Sequence, residues 1–311
     1  MPHYQNNLPL NGSKVFLTDG GLETTLIFEH HIDLPEFAAF TLFNKENGYQ
    51  TLRDYYLPYI QVAKKNKNGF ILESPTYRAS RSWGDKLGYS KNDLKAANQT
   101  AISMLEELKF EFEDSDTPMV ISGCIGPEGD GYKPTHTLSV EAAKEYHLEQ
   151  ILTFRKSGAD LVSAYTINYV EEAVGIALAA KTAKIPAVIS FTTETNGTLP
   201  SGQSLKSAIE RVEQETGQYP IYYMINCAHP THFSHILTEE PWTKRIQAVR
   251  ANASDKSHEE LDASEELDAG DQAELGRLYQ KLKSYLPGLH VFGGCCGTDH
   301  THLETISNAF I

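Results

Sequence analysis

Eight short apolar runs recur along the chain, and between most of them lies a stretch with helical patterning. The runs are residues 15–18, 70–72, 119–122, 160–164, 186–191, 221–226, 244–252 and 290–292, the seventh being the weakest. Helical stretches fall at 53–67, 91–112, 139–157, 170–184, 205–215 and 271–285, with a final one after the eighth run. Several end on helix-stop signals: Asn68-Gly69, Gly158, Gly217 and Pro287-Gly288. Apolar runs alternating with helices predict parallel strands, because a parallel pair needs a crossover long enough to return the chain to the same edge. Eight repeats favour a closed single (β/α)8 TIM barrel, spanning residues 1–311 as one domain, over an open sheet. A chain of 311 residues with 40% hydrophobic content can bury such a core. No Gly-x-Gly-x-x-Gly motif follows the first run, which weakens the dinucleotide-fold alternative.

In a barrel of this kind the chemistry gathers where strands end at the C-terminal face. The eighth run leads into Gly293-Gly294-Cys295-Cys296-Gly297-Thr298, a glycine-rich turn with two thiols at its tip. Glycine on both sides lets the two sulfurs swing toward one point. A disulfide between neighbouring Cys295 and Cys296 would close a strained ring. Cys227 has the same setting at the exit of the sixth run, 68 residues before Cys295, a gap too long for a zinc finger. Three soft ligands converging from two strand ends, with a fourth position open, are the arrangement of a catalytic zinc. Cys124, inside the third run's exit, reads as a small buried hydrophobe. At the exit of the first run stands Asp19-Gly20-Gly21.

The Gly-Gly-Cys-Cys-Gly-Thr turn, the upstream Asn226-Cys227 and the early Asp19-Gly20-Gly21 together resemble the zinc-dependent homocysteine S-methyltransferase family, from about Val15 to the C-terminus. The resemblance implies zinc held by Cys227, Cys295 and Cys296, and a methyl group moved from a sulfonium or ammonium donor to a thiol such as homocysteine, giving methionine. S-methylmethionine or S-adenosylmethionine is favoured as donor over betaine, because the length and the Thr after Cys-Cys-Gly look more like the shorter members. There is no room for the folate and cobalamin modules of methionine synthase, so a free small-molecule donor is expected. The resemblance further implies that Asp19 and the amides of Gly20 and Gly21 hold the amino-acid part of the thiol substrate, and that Asn226 supports the metal ligands. It also marks a departure: where the family usually has a Glu after strand four that helps bind the substrate's amino group, this chain has Tyr165. Glu23, Glu73 and Glu194 are the candidates to compensate; a different acceptor thiol is the alternative. Aromatic rings are the usual housing for a cationic donor, and Tyr77, Trp83, Tyr165 and Phe191 lie near strand ends.

Two further readings compete. Five histidines, His229, His232, His235, His300 and His302, follow the cysteines and suit a zinc hydrolase of the barrel amidohydrolase type, although no His-x-His leaves strand one. A barrel that binds a thiol or metal without turnover is the other. The expected partners are therefore a small-molecule thiol and a methyl donor. A net charge of −14 argues against nucleic acid or an anionic membrane surface. The polar segment 1–14 carries no apolar signal core, and no run approaches the length of a membrane span. Four cysteines, three of them in a metal pattern, do not form a disulfide framework, so a reducing, cytoplasmic setting is expected. The one unusual segment, the insertion at residues 253–271 after strand seven, repeats Glu-Glu-Leu-Asp and reads by default as a solvated helix, or more sharply as a lid or a homo-oligomer contact.

Overall fold

A computed structural model describes residue 4 and residues 7–10, 14–264 and 266–310. Parts of the polar N-terminal segment, and Glu265 of the acidic insertion, lie outside the described residues. Eight parallel strands close into a barrel in sequence order. They are β1 (Phe16–Leu17), β2 (Gly69–Glu73), β3 (Met119–Ile125), β4 (Leu161–Ile167), β5 (Ala187–Phe191), β6 (Tyr222–Asn226), β7 (Ile246–Ala251) and β8 (Val291–Gly294). The ring shuts by pairing β1 with β8, Phe16 opposite Val291 and Leu17 opposite Phe292. The (β/α)8 expectation holds. Among the described residues no helix is long and apolar enough to cross a membrane.

Strand residues alternate between the barrel interior and the helical shell. One apolar cluster, Phe16, Ile71, Val120, Leu161, Val188, Met224, Ala248 and Val291, fills the interior. The larger cluster, including Leu17, Phe70, Leu72, Ile121, Ile189, Phe191, Ile225, Val249 and Phe292, sits between strands and helices. Two residues further along each strand, the inward positions become polar: Thr18, Glu73, Ser122, Ser163, Ser190, Asn226 and Arg250, with Tyr165 one step higher on β4. The barrel is therefore plugged with hydrocarbon below and opens into a buried polar layer above it.

Two departures from the expected elements matter. The seventh run begins with a 3-10 turn, Pro241–Arg245, before β7 starts. In β4 the pairing with β5 shifts register between Ala164 and Ile167, and Thr166 takes φ 58°. That bulge turns the Thr166 amide out of the strand ladder and toward the cavity.

Candidate active site

The three thiols meet at the C-terminal mouth of the barrel. Their sulfurs all lie within 4.8 Å of one another, and among the described residues no other cluster of metal-ligating side chains forms. Cys227 directly follows β6 with φ 52°, a left-handed conformation that costs a non-glycine residue on the order of 1 kcal/mol. Its backbone is clamped from four sides. The Cys227 amide donates to the Arg250 carbonyl (3.1 Å), and its own carbonyl accepts from His258 Nε2 (2.6 Å), Asn252 Nδ2 (3.2 Å) and Thr192 Oγ1 (3.4 Å). On the other side, the Cys295 amide donates to the Ala251 carbonyl (2.8 Å), and its carbonyl accepts from the Thr298 amide and hydroxyl. Gly297, with φ 78°, makes the turn that brings Cys296 back over the cavity.

One expectation is corrected here. The sequence reading takes all three cysteines as free thiols; in the structure Cys227 and Cys295 are joined as a disulfide, with Cα atoms 5.3 Å apart, while Cys296 and Cys124 are free. The convergence that lets three sulfurs share an ion also puts two of them within bonding reach. Reduced, the trio fits a soft divalent metal by donor type and spacing. Burial, with the Glu23 carboxylate adding to it, pushes the Cys296 thiol up to about 11, while a hydrogen bond from Tyr132 acts the other way. Without a cation beside it this sulfur stays protonated.

Asn226 sits beneath the sulfurs at the end of β6. Its Oδ1 accepts from the Thr166 amide (2.9 Å) freed by the β4 bulge and from the Ser190 hydroxyl (2.5 Å). Its Nδ2 donates to Thr166 Oγ1 (2.9 Å) and lies 4.0 Å from Cys295 Sγ. Those contacts fix which end of the amide faces the sulfur.

Beside the cysteine turns lies a buried charged group that the sequence reading did not foresee. Arg250, from β7, pairs with Asp19 Oδ1 at 2.9 Å, and both side chains are at least nine-tenths buried. The guanidinium also donates to the carbonyls of Gly294 (2.8 Å), Gly20 (2.9 Å) and Asp19 (3.3 Å) and lies 5.0 Å from the centre of the Tyr165 ring. Gly293 makes room for it, since a Cβ there would meet Thr18 Oγ1 at 1.9 Å and Arg250 Cγ at 3.0 Å. Asp19 Oδ2 accepts from Tyr55 OH (3.2 Å). Burial raises the Asp19 carboxyl, with Arg250 pulling the other way. Asp19 is therefore an internal ion-pair member as well as a cavity residue. The Gly21 amide is likewise committed, donating to the Thr298 carbonyl (3.0 Å). The signal for Arg250 was present: counting in twos from Ala248 puts it inside the barrel.

The cavity between these groups has a volume of about 560 Å3, within the usual range for a small-molecule site. Asp19, Gly20, Gly21, Tyr77, Tyr165, Asn226, Cys227, Cys295 and Cys296 all line it. So do Glu23, Glu73, Arg78 and Tyr132. The expected aromatic housing is largely taken by the protein's own cations. Arg78 stacks over Trp83 at 3.6 Å and lies 4.8 Å from the Tyr77 ring centre, and Lys86 lies 3.9 Å from the Trp83 ring. Phe191 faces outward and stacks on Tyr223 in the helical shell, because its parity on β5 is that of Ile189.

The histidines follow a different course from the hydrolase reading. His229, His232, His235, His300 and His302 do not line the cavity. His229 meets Thr231 Oγ1, His232 the Asp255 carbonyl, and His302 both Asp299 and the Ala269 carbonyl. The histidine that does line it is His258, within the acidic insertion, its ring 4.1 Å from that of Tyr132. Among its described residues the insertion is not a continuous solvated helix; of these only His258–Asp262 is helical. Leu261, Asp262, Leu267 and Asp268 fold over the cavity mouth, and Asp262 reaches Lys133 at 3.6 Å.

The profile of the homocysteine S-methyltransferase family matches residues 16–310. Homocysteine S-methyltransferase 2 of Arabidopsis thaliana is 23% identical over 94% of this chain and 92% of its own length. Selenocysteine Se-methyltransferase of Brassica oleracea var. italica is 23% identical over 95% of this chain and 88% of its own. Among solved structures, the Escherichia coli homocysteine methyltransferase MmuM shares the fold at 18% identity, over 98% of this chain and 99% of that one, with TM-scores of 0.75 for its metallated form and 0.76 for its oxidized form. With the family profile spanning nearly the whole chain, the protein is a methyltransferase belonging to the homocysteine S-methyltransferase family.

Proposed function

We propose that the protein is a zinc-dependent S-methyltransferase that moves a methyl group from a small sulfonium donor, S-methylmethionine or S-adenosylmethionine, to the sulfur of homocysteine or a closely related thiol. The observation that carries this reading is the convergence of Cys227, Cys295 and Cys296 at the open mouth of the barrel, next to a cavity of substrate size. Bound by the three reduced thiols, Zn2+ would supply the positive charge that holds an incoming thiol as its thiolate at neutral pH, where a free thiol is mostly protonated.

The remaining work falls to the chain itself. The clamped backbones of Cys227 and Cys295 aim the sulfurs without relying on flexible side chains. Asn226 Nδ2 faces Cys295 and steadies the ligand set from below. Asp19, its charge partly balanced by Arg250, and the Gly20-Gly21 turn shape the wall against which the amino-acid part of the acceptor rests. The insertion after β7 and the Tyr132 loop narrow the entrance, which limits competing attack by water on the donor. A sulfonium donor is drawn to a cavity that several carboxylates line and that only Arg78 and Arg250 offset. The reducing interior of a cell, such as the cytoplasm, suits a site that works only with its thiols free.

The test is to measure zinc in the protein purified under reductant, and methyl transfer from S-methylmethionine to homocysteine. The expected result is stoichiometric zinc and formation of methionine, both lost together on chelation. Zinc without transfer to any thiol favours a non-catalytic binding barrel.

A further inference from the structure

The buried charges lining the cavity do not cancel. Arg250 is the cation of the polar layer, and it is ion-paired with Asp19. The second buried carboxylate, Glu73 at the end of β2, is 4% exposed and forms no ion pair among the described residues. Two hydroxyls donate to one of its oxygens, Tyr165 OH at 2.6 Å and Ser163 Oγ at 3.2 Å, each to Oε1, and the Ser122 hydroxyl also acts on the carboxyl. The other oxygen, Oε2, is fully buried and has no hydrogen-bond partner, although the residue lines the cavity. A buried carboxylate with one oxygen unsatisfied and no direct ion pair is costly, and an arriving cation would complete it.

We propose that Glu73 Oε2 is the receptor for the primary ammonium group of the acceptor substrate, with Tyr165 as the positioning residue that holds the carboxylate toward the cavity. The assignment rests on the thiol-methyltransferase reading and narrows it: the acceptor is an α-amino-acid thiol, not a simple thiol. Three other carboxylates are less suited. Asp19 is already paired with Arg250 and bonded to Tyr55. Glu23 also lines the cavity, and burial raises its carboxyl to about 7 as it does that of Glu73, but the residue is less enclosed and no side-chain hydroxyl among the described residues holds it in one orientation. Glu194 does not line the cavity, its side chain is 35% exposed, and it lies 3.6 Å from His258. A cation arriving at Oε2 would also leave the Tyr165 and Ser163 bonds intact, since those occupy the opposite oxygen.

The test is calorimetric binding of homocysteine, and of the same thiol lacking its amino group, to the reduced, zinc-loaded protein. Wild type is expected to prefer homocysteine. Glu73→Gln keeps the shape and a partner for Tyr165, and it should weaken homocysteine about ten- to a hundredfold, the range for losing a charge-assisted bond. It should leave the amine-free thiol and the zinc content unchanged. Glu73→Asp should recover part of the preference, and Glu23→Gln should leave it intact. With methyl transfer as readout, the loss in Glu73→Gln should appear in KM for homocysteine more than in kcat. The assignment is overturned if Glu73→Gln weakens both thiols alike or neither, or if Glu23→Gln is the variant that erases the preference. Failure of wild type to bind either thiol would overturn the methyltransferase reading, and the assignment with it.

Discussion

The two walls of the cavity are held by different means. The sulfur wall is fixed by backbone: Cys227 by a left-handed turn whose carbonyl accepts three hydrogen bonds, and Cys295 by amide and carbonyl bonds to Ala251 and Thr298. The carboxylate wall is fixed by side chains reaching inward from four strands or their ends, Asp19, Glu73, Ser163, Tyr165 and Arg250, linked by an ion pair, hydrogen bonds and a cation–ring contact. A side chain can be removed from the first wall without undoing its frame. On the second wall, removing one member of the Arg250–Asp19 pair strands the other as a buried charge. Function and stability should therefore separate on one side of the cavity and remain entangled on the other.

The largest effect that would sharpen this contrast is on the sulfur side. Cys227→Ala should lose bound zinc and reduce methyl transfer by at least about a thousandfold, while the melting temperature of the metal-free protein shifts by only a few degrees. Metal analysis, a turnover assay and a thermal melt read the three quantities. Retention of stoichiometric zinc would remove Cys227 from the ligand set.

On the carboxylate side, Arg250→Met should unfold far more easily, by about 3–5 kcal/mol in a denaturant titration, because it leaves Asp19 buried without its counter-charge. Adding Asp19→Asn to that variant should return much of the loss. A cost below about 1 kcal/mol for Arg250→Met would show that the two walls are built alike.

A somewhat smaller effect is expected from pH. Burial lifts Glu73 from 4.5 to about 7, with Arg250 lowering and Asp19 raising it, and with Tyr165 and Cys124 the other titratable groups facing it. A carboxyl raised in the folded state binds its proton more tightly there than when unfolded, so its contribution to stability is lost as pH rises from 4.5 through 7. Glu73→Gln should match wild type near pH 4.5 and exceed it at pH 8 by on the order of 3 kcal/mol. Parallel stability-versus-pH curves for the two proteins would contradict the assignment of that titration to Glu73. The smallest effect belongs to Asn226→Ala, which bridges the walls: zinc affinity should fall about ten- to a hundredfold in a competition assay with a chelating indicator.

The same contrast explains what could be read from the chain alone. The barrel was legible because its apolar runs and helix stops recur eight times, and the sulfur wall because its residues cluster in one short glycine-rich turn with one outlying partner of like setting. The carboxylate wall was not, because its members are scattered from Asp19 to Arg250 and carry no common motif. Period-two counting from Ile71, Leu161 and Ala248 does place Glu73, Tyr165 and Arg250 inside the barrel. It does not say which acid Arg250 would neutralise. The bulge at Thr166 depends on pairing with β5 and has no local sequence signal such as glycine. The same parity, applied to β5, turns Phe191 away from the cavity. In the insertion after β7, charge content suggested a solvated helix, whereas Leu261 and Leu267 give it a face that covers the site.

X-ray absorption at the zinc edge, recorded on the reduced protein before and after homocysteine is added, bears most directly on the proposed chemistry. Three sulfurs and one lighter atom are expected around zinc in the resting protein, rising to four sulfurs with the thiol bound. A resting site with fewer than three sulfurs, or a sulfur count that homocysteine leaves unchanged, would contradict a metal gripped by Cys227, Cys295 and Cys296 with its open position reserved for substrate.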